Sequence, residues 1–458
     1  MAAGLPAEAA AAPAQVSLRR ALSLRDLVLF GLVTIQLTAP MPIYGVLYNS
    51  SRGHTVLVVL LSMVAMLLTA VSYGRMANAY PSAGSAFAYV GQEIHPTAGY
   101  VTGWALTMDY MFIPILSTII CSKLAGTFFP GVPYRLWVVI FASAFTALNL
   151  RGIQASARAN MVLAAVMAVV IVIFLAVAAR TVMTTAHEPG WAWKPLYDPA
   201  TFEAGALLRG TSIAVLTYLG FDAISTLAEE VHNPRRNILL ATVFSCLAIG
   251  VLSAIQVYAA QLVGPKVDHF AEDATAIAQV SNAAGGAWLA TVVGATVLVA
   301  TFGSAMGSQL GAARVLFAMG RAGTLPRSFF GALHPGRRVP VNSVLFVGGV
   351  AVLGAFVLDL DRGSELVNFG ALLAFMGVNA AALVRYGLRA TEHRLRNALP
   401  SALGLLVCLL LWLGLGGRAH VLGWSWLLAG VVLGAWRTRG FRRDLVTFDA
   451  PAESEVPR

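Results

Sequence analysis

Charge is scarce in this sequence. Asp, Glu, Lys and Arg make up 11% of its 458 residues, less than half of the roughly 25% usual in soluble domains. Hydrophobic residues make up 58%, and the mean hydropathy is +0.75. A chain so poor in charge cannot clothe a water-soluble fold of this size. Cysteine is scarcer still. Cys121, Cys246 and Cys408 lie far apart inside apolar segments, which excludes a disulfide framework and any Cys-x-x-Cys metal spacing and leaves them as small buried hydrophobes. There is no His-Glu-x-x-His, no Gly-x-Ser-x-Gly elbow, no Walker loop and no large soluble domain, so neither an enzyme nor a resident metal or cofactor is expected. The net charge of +10 comes from arginines set singly and in pairs between apolar runs. No basic face interleaved with aromatics is present, which argues against nucleic acid. Residues 1–25 are rich in Ala and Pro and lack the apolar core of a cleavable leader, and they read as a loose cytoplasmic tail.

What the chain has in abundance is long apolar runs. A window of about 20 residues, the length that crosses the hydrocarbon layer as a helix, finds roughly twelve of them. Their limits are 26–48, 56–78, 97–121, 134–151, 159–180, 206–230, 238–262, 286–315, 340–359, 365–384, 399–416 and 420–436. Unbroken Leu/Val/Ala runs favour helices over the short alternating segments of a β-barrel. The expectation is therefore an all-α, multi-pass protein in the lipid bilayer. Arg19, Arg20 and Arg25 precede the first run and Arg437, Arg439, Arg442 and Arg443 follow the last. The excess of arginine on that side places both termini in the cytoplasm, with residues 437–458 as a second tail.

Two runs contain helix breakers. The first holds Leu-Thr-Ala-Pro-Met-Pro-Ile-Tyr-Gly, Leu37 to Gly45, and the sixth holds Tyr-Leu-Gly-Phe-Asp, Tyr218 to Asp222. Pro40 and Pro42 cannot sit in a regular helix without freeing the carbonyls of Gln36 and Thr38. Such backbone is tolerated in a membrane only against protein or a watery cavity. Breaks at corresponding places in two halves point to a midplane binding site of a secondary transporter. Asp109 falls near the middle of the third run, where a carboxylate is costly and by default functional; a hydrogen-bonded Asp locking that helix to a neighbour is the other reading.

The segments beginning Ser72-Tyr-Gly-Arg-Met, Asn149-Leu-Arg-Gly, Thr217-Tyr-Leu-Gly-Phe-Asp, Ala313-Arg-Val-Leu-Phe and Leu366-Val-Asn-Phe-Gly occur in order along the first ten runs. Together they resemble the amino acid/polyamine/organocation permeases. Within that superfamily the chain is most similar to the putrescine importer group, through its proline-containing first helix followed by Gly53-His54 and through the Asp109-Tyr110-Met-Phe-Ile-Pro of its third. The resemblance implies a LeuT-type fold: a 5+5 inverted repeat over about 26–180 and 206–384, with helices 1 and 6 discontinuous, plus two C-terminal helices over about 399–436. It also implies alternating access driven by an ion gradient, in the plasma (inner) membrane, on a small-molecule amine or amino acid.

Carried onto this sequence, the resemblance makes Ala39, Met41, Tyr44 and Gly45 at the first break, Asp109 and Tyr110, and Tyr218, Leu219, Gly220, Phe221, Asp222 and Ser225 at the second the candidate substrate-binding residues. Tyr110 is the residue type that the family sets beside a substrate amine. The first break lacks the family's glycine-rich amide nest, which favours an amine anchor over a carboxylate one. Where the importers resembling this chain carry an Asp in that break, this sequence aligns Gly45, so a monoamine or amino acid stays open. Met167 aligns where some proton-coupled members carry a lysine. A proton, if it is the coupling ion, then falls to Asp109 or Asp222. Asp222 also stands where it can cap the amides of Ile224 or Ser225 at the start of the inner half-helix, leaving the carbonyls near Tyr218 and Leu219 for the amine. Ser225, Thr226, Thr301, Ser304, Ser308, Gln309 and Asn368 are possible lining residues. Glu229 and Glu230 are gate candidates, with Arg314 as a possible partner. Substrate exchange without an ion, and a non-transporting sensor with the same fold, are the competing readings, and oligomeric state is not legible.

Overall fold

The computed structural model describes residues 22–437, except 82–83, 130, 152, 186–189, 266, 272, 274–275, 335–338, 359 and 390–393. The helices are α1 (Leu24–Ile35), α2 (Tyr44–Ser51), α3 (Thr55–Ala79), α4 (Ser85–Glu93), α5 (Pro96–Phe128), α6 (Tyr134–Leu150), α7 (Ile153–Thr184), α8 (Ala204–Ala214), α9 (Pro234–Val263), α10 (Ala276–Gly285), α11 (Ala287–Arg321), the single turn α12 (Arg327–Phe330), α13 (Val341–Val357), α14 (Leu360–Leu383), α15 (Arg394–Leu413) and α16 (Gly417–Arg437). Among the described residues there is no strand, only a bridge between Leu22 and Val231. Among the described residues nine helical segments are long and apolar enough to span a membrane, and Tyr134–Leu150 and Val341–Val357 are shorter apolar helices. With α1 and α2 as the two halves of a broken span, every apolar run of the sequence is accounted for. The protein is an all-α, multi-pass membrane protein. The short helices α4 and α10 were not legible as elements, because neither is long or apolar enough to stand out between its neighbours.

Local chemistry fixes the ends. Ser23 caps α1 in a reciprocal box with Asp26, whose carboxylate accepts from the Ser23 amide at 2.8 Å. The helix therefore starts at Leu24, and Leu22 is already anchored: its N–H donates to the Glu230 carbonyl at 3.0 Å and its carbonyl accepts from His232 at 2.9 Å. Leu22 to Arg25, expected to belong to the loose tail, are thus part of the fold, and residues 1–21 and 438–458 lie outside the described residues. Pro96 and Pro234 open α5 and α9 at the first turn, where their missing N–H costs nothing.

The start of α1, α4 and the end of α11 gather around the Asp222–Glu230 segment at what is called the near face; the end of α2 gathers with the α7–α8 linker and α10 at what is called the far face. In the interior α3 lies along α9, and α5 runs between α11 and α14.

Both breaks are real and they touch. α1 ends at Ile35, and Gln36 has φ 76°, outside the helical region. The second break is longer than one residue: after α8 the chain runs through a 3₁₀ turn (Val215–Tyr218), an extended Leu219 and Gly220 with φ 108°, then a 3₁₀ segment over Asp222–Glu230. Gly220 presses on the end of α1, where a Cβ would stand 3.1 Å from Thr34 Cγ2 and 3.3 Å from the Ile35 nitrogen. Only glycine satisfies both the dihedral and the approach. Gly220→Ala should cost about 1–3 kcal/mol, read as a lower unfolding temperature in detergent, and an unchanged transition would show that the breaks do not bear on one another.

Candidate functional site

The proline break does not leave the carbonyls free that the sequence suggested. Tight turns take them: the Ala39 N–H donates to Gln36 O at 3.1 Å and the Met41 N–H to Thr38 O at 2.9 Å. The carbonyls that lose helical partners lie elsewhere and are held by side chains from two other spans. The Ser304 hydroxyl of α11 donates to Thr34 O at 2.7 Å, and the Gln256 amide of α9 donates to Leu37 O at 2.8 Å. Gln256, 1% exposed, also donates to Leu252 O at 3.2 Å. Two carbonyl partners fix the amide's orientation, and its oxygen stays buried without a donor. Sequence reasoning missed Gln256 because a lone glutamine in an apolar helix carries no motif. The one signal was its polarity among apolar neighbours.

Ala39 and Met41 lie buried in the first break, and Thr38 Oγ1 approaches Met167 Sδ at 3.9 Å, so the α7 position read as lysine-like does face the break. Tyr44 and Gly45 begin α2 and turn toward the far face. The Tyr44 ring meets Phe270 at 5.9 Å, and a Cβ on Gly45 would fall 2.6 Å from Asp273 Cα. A carboxylate at position 45 has no room here. Asn49 moors the same loop, donating to Phe270 O at 2.9 Å and to Asp273 Oδ1 at 2.8 Å.

At the second break Asp222 does not cap Ile224 or Ser225. Its carboxylate turns back and accepts from the Gly220 N–H at 3.3 Å, because the Gly220 conformation brings that amide within reach. Its other oxygen accepts from the Tyr110 hydroxyl of α5. The Tyr218 carbonyl is also engaged, by the Phe221 N–H at 3.4 Å, whereas among the described residues nothing donates to the Leu219 carbonyl. The Tyr218 hydroxyl donates to Val59 O at 2.7 Å, anchoring the break to α3. Phe221 packs on Tyr73 and Phe375 at 5.6 and 5.2 Å.

Asp109 is fully buried one residue before Tyr110, and both of its carboxylate oxygens lack a hydrogen-bond partner. It lies within electrostatic reach of Asp222. The structure thus brings Asp109, Tyr110, Gly220 and Asp222 together at the junction of α5 with the second break. Gly311 of α11 completes that wall, a Cβ there lying 3.7 Å from the Tyr110 ring and 3.8 Å from Ala223.

The remaining lining candidates divide. Ser225 and Thr226 bond back to Asp222 O and Ala223 O at 2.6 and 2.7 Å, as hydroxyls in membrane helices commonly do, and Ser225 meets Ser85 at 2.7 Å. Gln309 faces away from the breaks: its amide nitrogen donates to Thr146 at 2.8 Å and its oxygen accepts from Asn149 at 2.8 Å, a polar joint between α11 and α6. Thr301 and Asn368 keep a buried side-chain oxygen without a partner. At the near face Glu230 pairs with Arg314 at 2.9 Å, buried, and Glu229 pairs with Arg321 at 3.1 Å, half-exposed. A second cluster there was not anticipated: Glu93, buried at the end of α4, accepts from the exposed Arg389 at 2.6 Å, from Arg385 at 2.9 Å and from Tyr80 at 2.7 Å.

An all-helical bundle broken at two touching points, with an unpaired carboxylate stranded beside them, is the architecture of a membrane solute carrier. The chain belongs to the amino acid permease family, whose model matches residues 40–423. It is 30% identical to the low-affinity putrescine importer PlaP of Escherichia coli (strain K12), over 95% of this chain and 97% of that one. It is 28% identical to the branched-chain amino acid permease BcaP of Bacillus subtilis (strain 168), over 93% and 94%. With cationic amino acid transporter 4, vacuolar, of Arabidopsis thaliana it shares 29% identity over 80% of this chain and 63% of that one. The protein is a membrane transporter and not an enzyme.

Gln256→Leu keeps the volume but removes the donor to the broken span, leaving Leu37 O buried and unpaired. The expected cost is about 1–3 kcal/mol, seen as a lower unfolding temperature. A wild-type transition would show that the break needs no support from α9.

Proposed function

We propose that this permease takes up a small solute anchored by its amine, a putrescine-like amine or an amino acid, by proton-coupled transport in which Asp109 holds a proton when no amine is bound. The observation that carries the reading is Asp109 itself: fully buried, with both oxygens unpartnered, while Asp222 beside it is held by Tyr110 and Gly220. An isolated charge at that depth costs several kcal/mol. The carboxylate must therefore hold either a proton or a cation, and an arriving ammonium group displaces the one with the other. One free carboxylate rather than two favours a single strong amine anchor. Leu219 O, to which nothing donates among the described residues, is the natural second acceptor. The similarity to carriers named for putrescine, branched-chain and cationic amino acids supports the solute class.

In this reading helices 1–5 and 6–10 form the inverted repeat of a LeuT-type fold, the termini are cytoplasmic, and the near face opens to the cytoplasm of a cell bounded by the plasma membrane. The Glu230–Arg314 pair closes that face, and the loop moored by Asn49 closes the other. Alternating access consists of releasing one closure while the other holds.

Asp109→Asn removes the charge but not the volume. Uptake of putrescine into proteoliposomes under an imposed pH gradient should fall about 10- to 100-fold, with arginine, alanine and ethanolamine as competitors. Unchanged rate and affinity would make Asp109 structural, and competition by neutral amino acids alone would sink the diamine reading. At the gate, Glu230→Gln should raise the labelling rate of a cysteine placed at Ala223 by a water-soluble thiol reagent about tenfold. Equal labelling would remove the ion pair from the gate.

A further inference from the structure

His54 stands at the corner between α2 and α3, 2% exposed, and none of the transport reading uses it. Its Nδ1 lies 3.0 Å from the Ser51 carbonyl, and its Nε2 lies 3.1 Å from the Asp198 backbone nitrogen in the α7–α8 linker. A carbonyl can only accept and a backbone N–H can only donate, so Nδ1 carries the proton and Nε2 presents its lone pair. That arrangement exists only for the neutral ring. A proton on Nε2 would face the Asp198 N–H donor to donor, and the linker could not stay docked.

The corner carries other ties. Val56 N–H donates to Pro195 O at 3.3 Å, and the His54 ring packs on Phe202 at 5.7 Å and on Tyr197 at 6.3 Å. The charged and titratable groups around it are Arg52 from the end of α2, Tyr197 and Asp198 from the linker, and Glu203 and Arg209 at the start of α8. Glu203 engages Arg52 at 2.7 Å and Arg209 at 3.9 Å. On the α9 side Gln261 is neutral: its amide nitrogen donates to Gly53 O at 2.6 Å, and its oxygen accepts from Thr55 at 2.6 Å. Asp198 offers a second binding mode. Its Oδ1 now accepts from the Ala200 N–H at 3.0 Å, and a shift of the linker would present that carboxylate to a charged imidazolium.

We propose that His54 is an acid-operated latch: the neutral ring pins the linker to the α2–α3 corner, and protonation of Nε2 releases it and frees the outer half-helix α2. That the acid acts from outside the cell rests on the cytoplasmic assignment of the termini; the latch itself does not.

The test is hydrogen exchange of the full-length protein, comparing peptides that cover the linker from Trp191 to Glu203 at pH 8 and pH 5, with rates corrected for intrinsic pH dependence. In the wild type, protection of the linker should drop about tenfold at pH 5, reversibly, while peptides from the middle of α3 keep theirs. In His54→Gln, whose amide can donate to Ser51 and accept from Asp198 without titrating, protection should be the same at both pH values. Protection that does not change in the wild type, or that drops equally in His54→Gln, overturns the proposal. Should the variant not fold, the wild-type comparison alone decides. In proteoliposomes, acidifying each side separately tests orientation on its own: release from the side that the termini face would refute the topology and leave the latch standing.

Discussion

The Tyr110–Asp222 hydrogen bond is the joint on which the rest of the arrangement depends. It ties the middle of α5 to the point where the sixth span unwinds, and with the Gly220 amide it satisfies Asp222 within the break. Because Asp222 is satisfied by groups of its own protein, the neighbouring Asp109 is left as the carboxylate without a partner. The two acids thereby acquire different work. One holds the broken backbone in shape, and in the proposed account the other holds the cargo or the proton that replaces it.

Backbone freed by a break inside a membrane must find a partner in the protein or face a watery cavity. The first break finds partners in its own tight turns and in donors from α9 and α11. The second folds the Asp222 carboxylate back on the Gly220 amide and rests Gly220 on the end of α1, while among the described residues Leu219 O keeps no donor. Each break is thus part of the other's support, and Thr34 is where they meet, touched by Gly220 and bonded through its carbonyl to Ser304. In the proposed account a ligand entering here meets a pre-formed wall, and the closures lie at the two faces, where Glu230 meets Arg314 and Asn49 meets the loop at Phe270.

The twelve runs were legible because hydrocarbon forces long apolar stretches, and the two breaks because proline and glycine punctuate them. Asp109, Tyr110 and Asp222 were legible as polar residues at membrane depth. What the sequence could not display was partnership. Whether Asp222 caps the amides ahead of it or the one behind depends on the φ of Gly220, and whether Gln309 lines the cavity or bonds to α6 depends on helix rotation, which composition leaves open. Gln256 and Glu93 were passed over for the same reason, and His54 served only as a mark of resemblance: each gains its meaning from a residue in a different span.

The central claim is that an amine and a proton compete for Asp109. Calorimetric titration of the purified protein with putrescine, repeated in buffers of different ionisation enthalpy, counts protons released on binding. The account predicts about one proton released per amine bound by the wild type, and none by Asp109→Asn if any binding survives. Binding without proton release in the wild type, or the same release from Asp109→Asn, would contradict it.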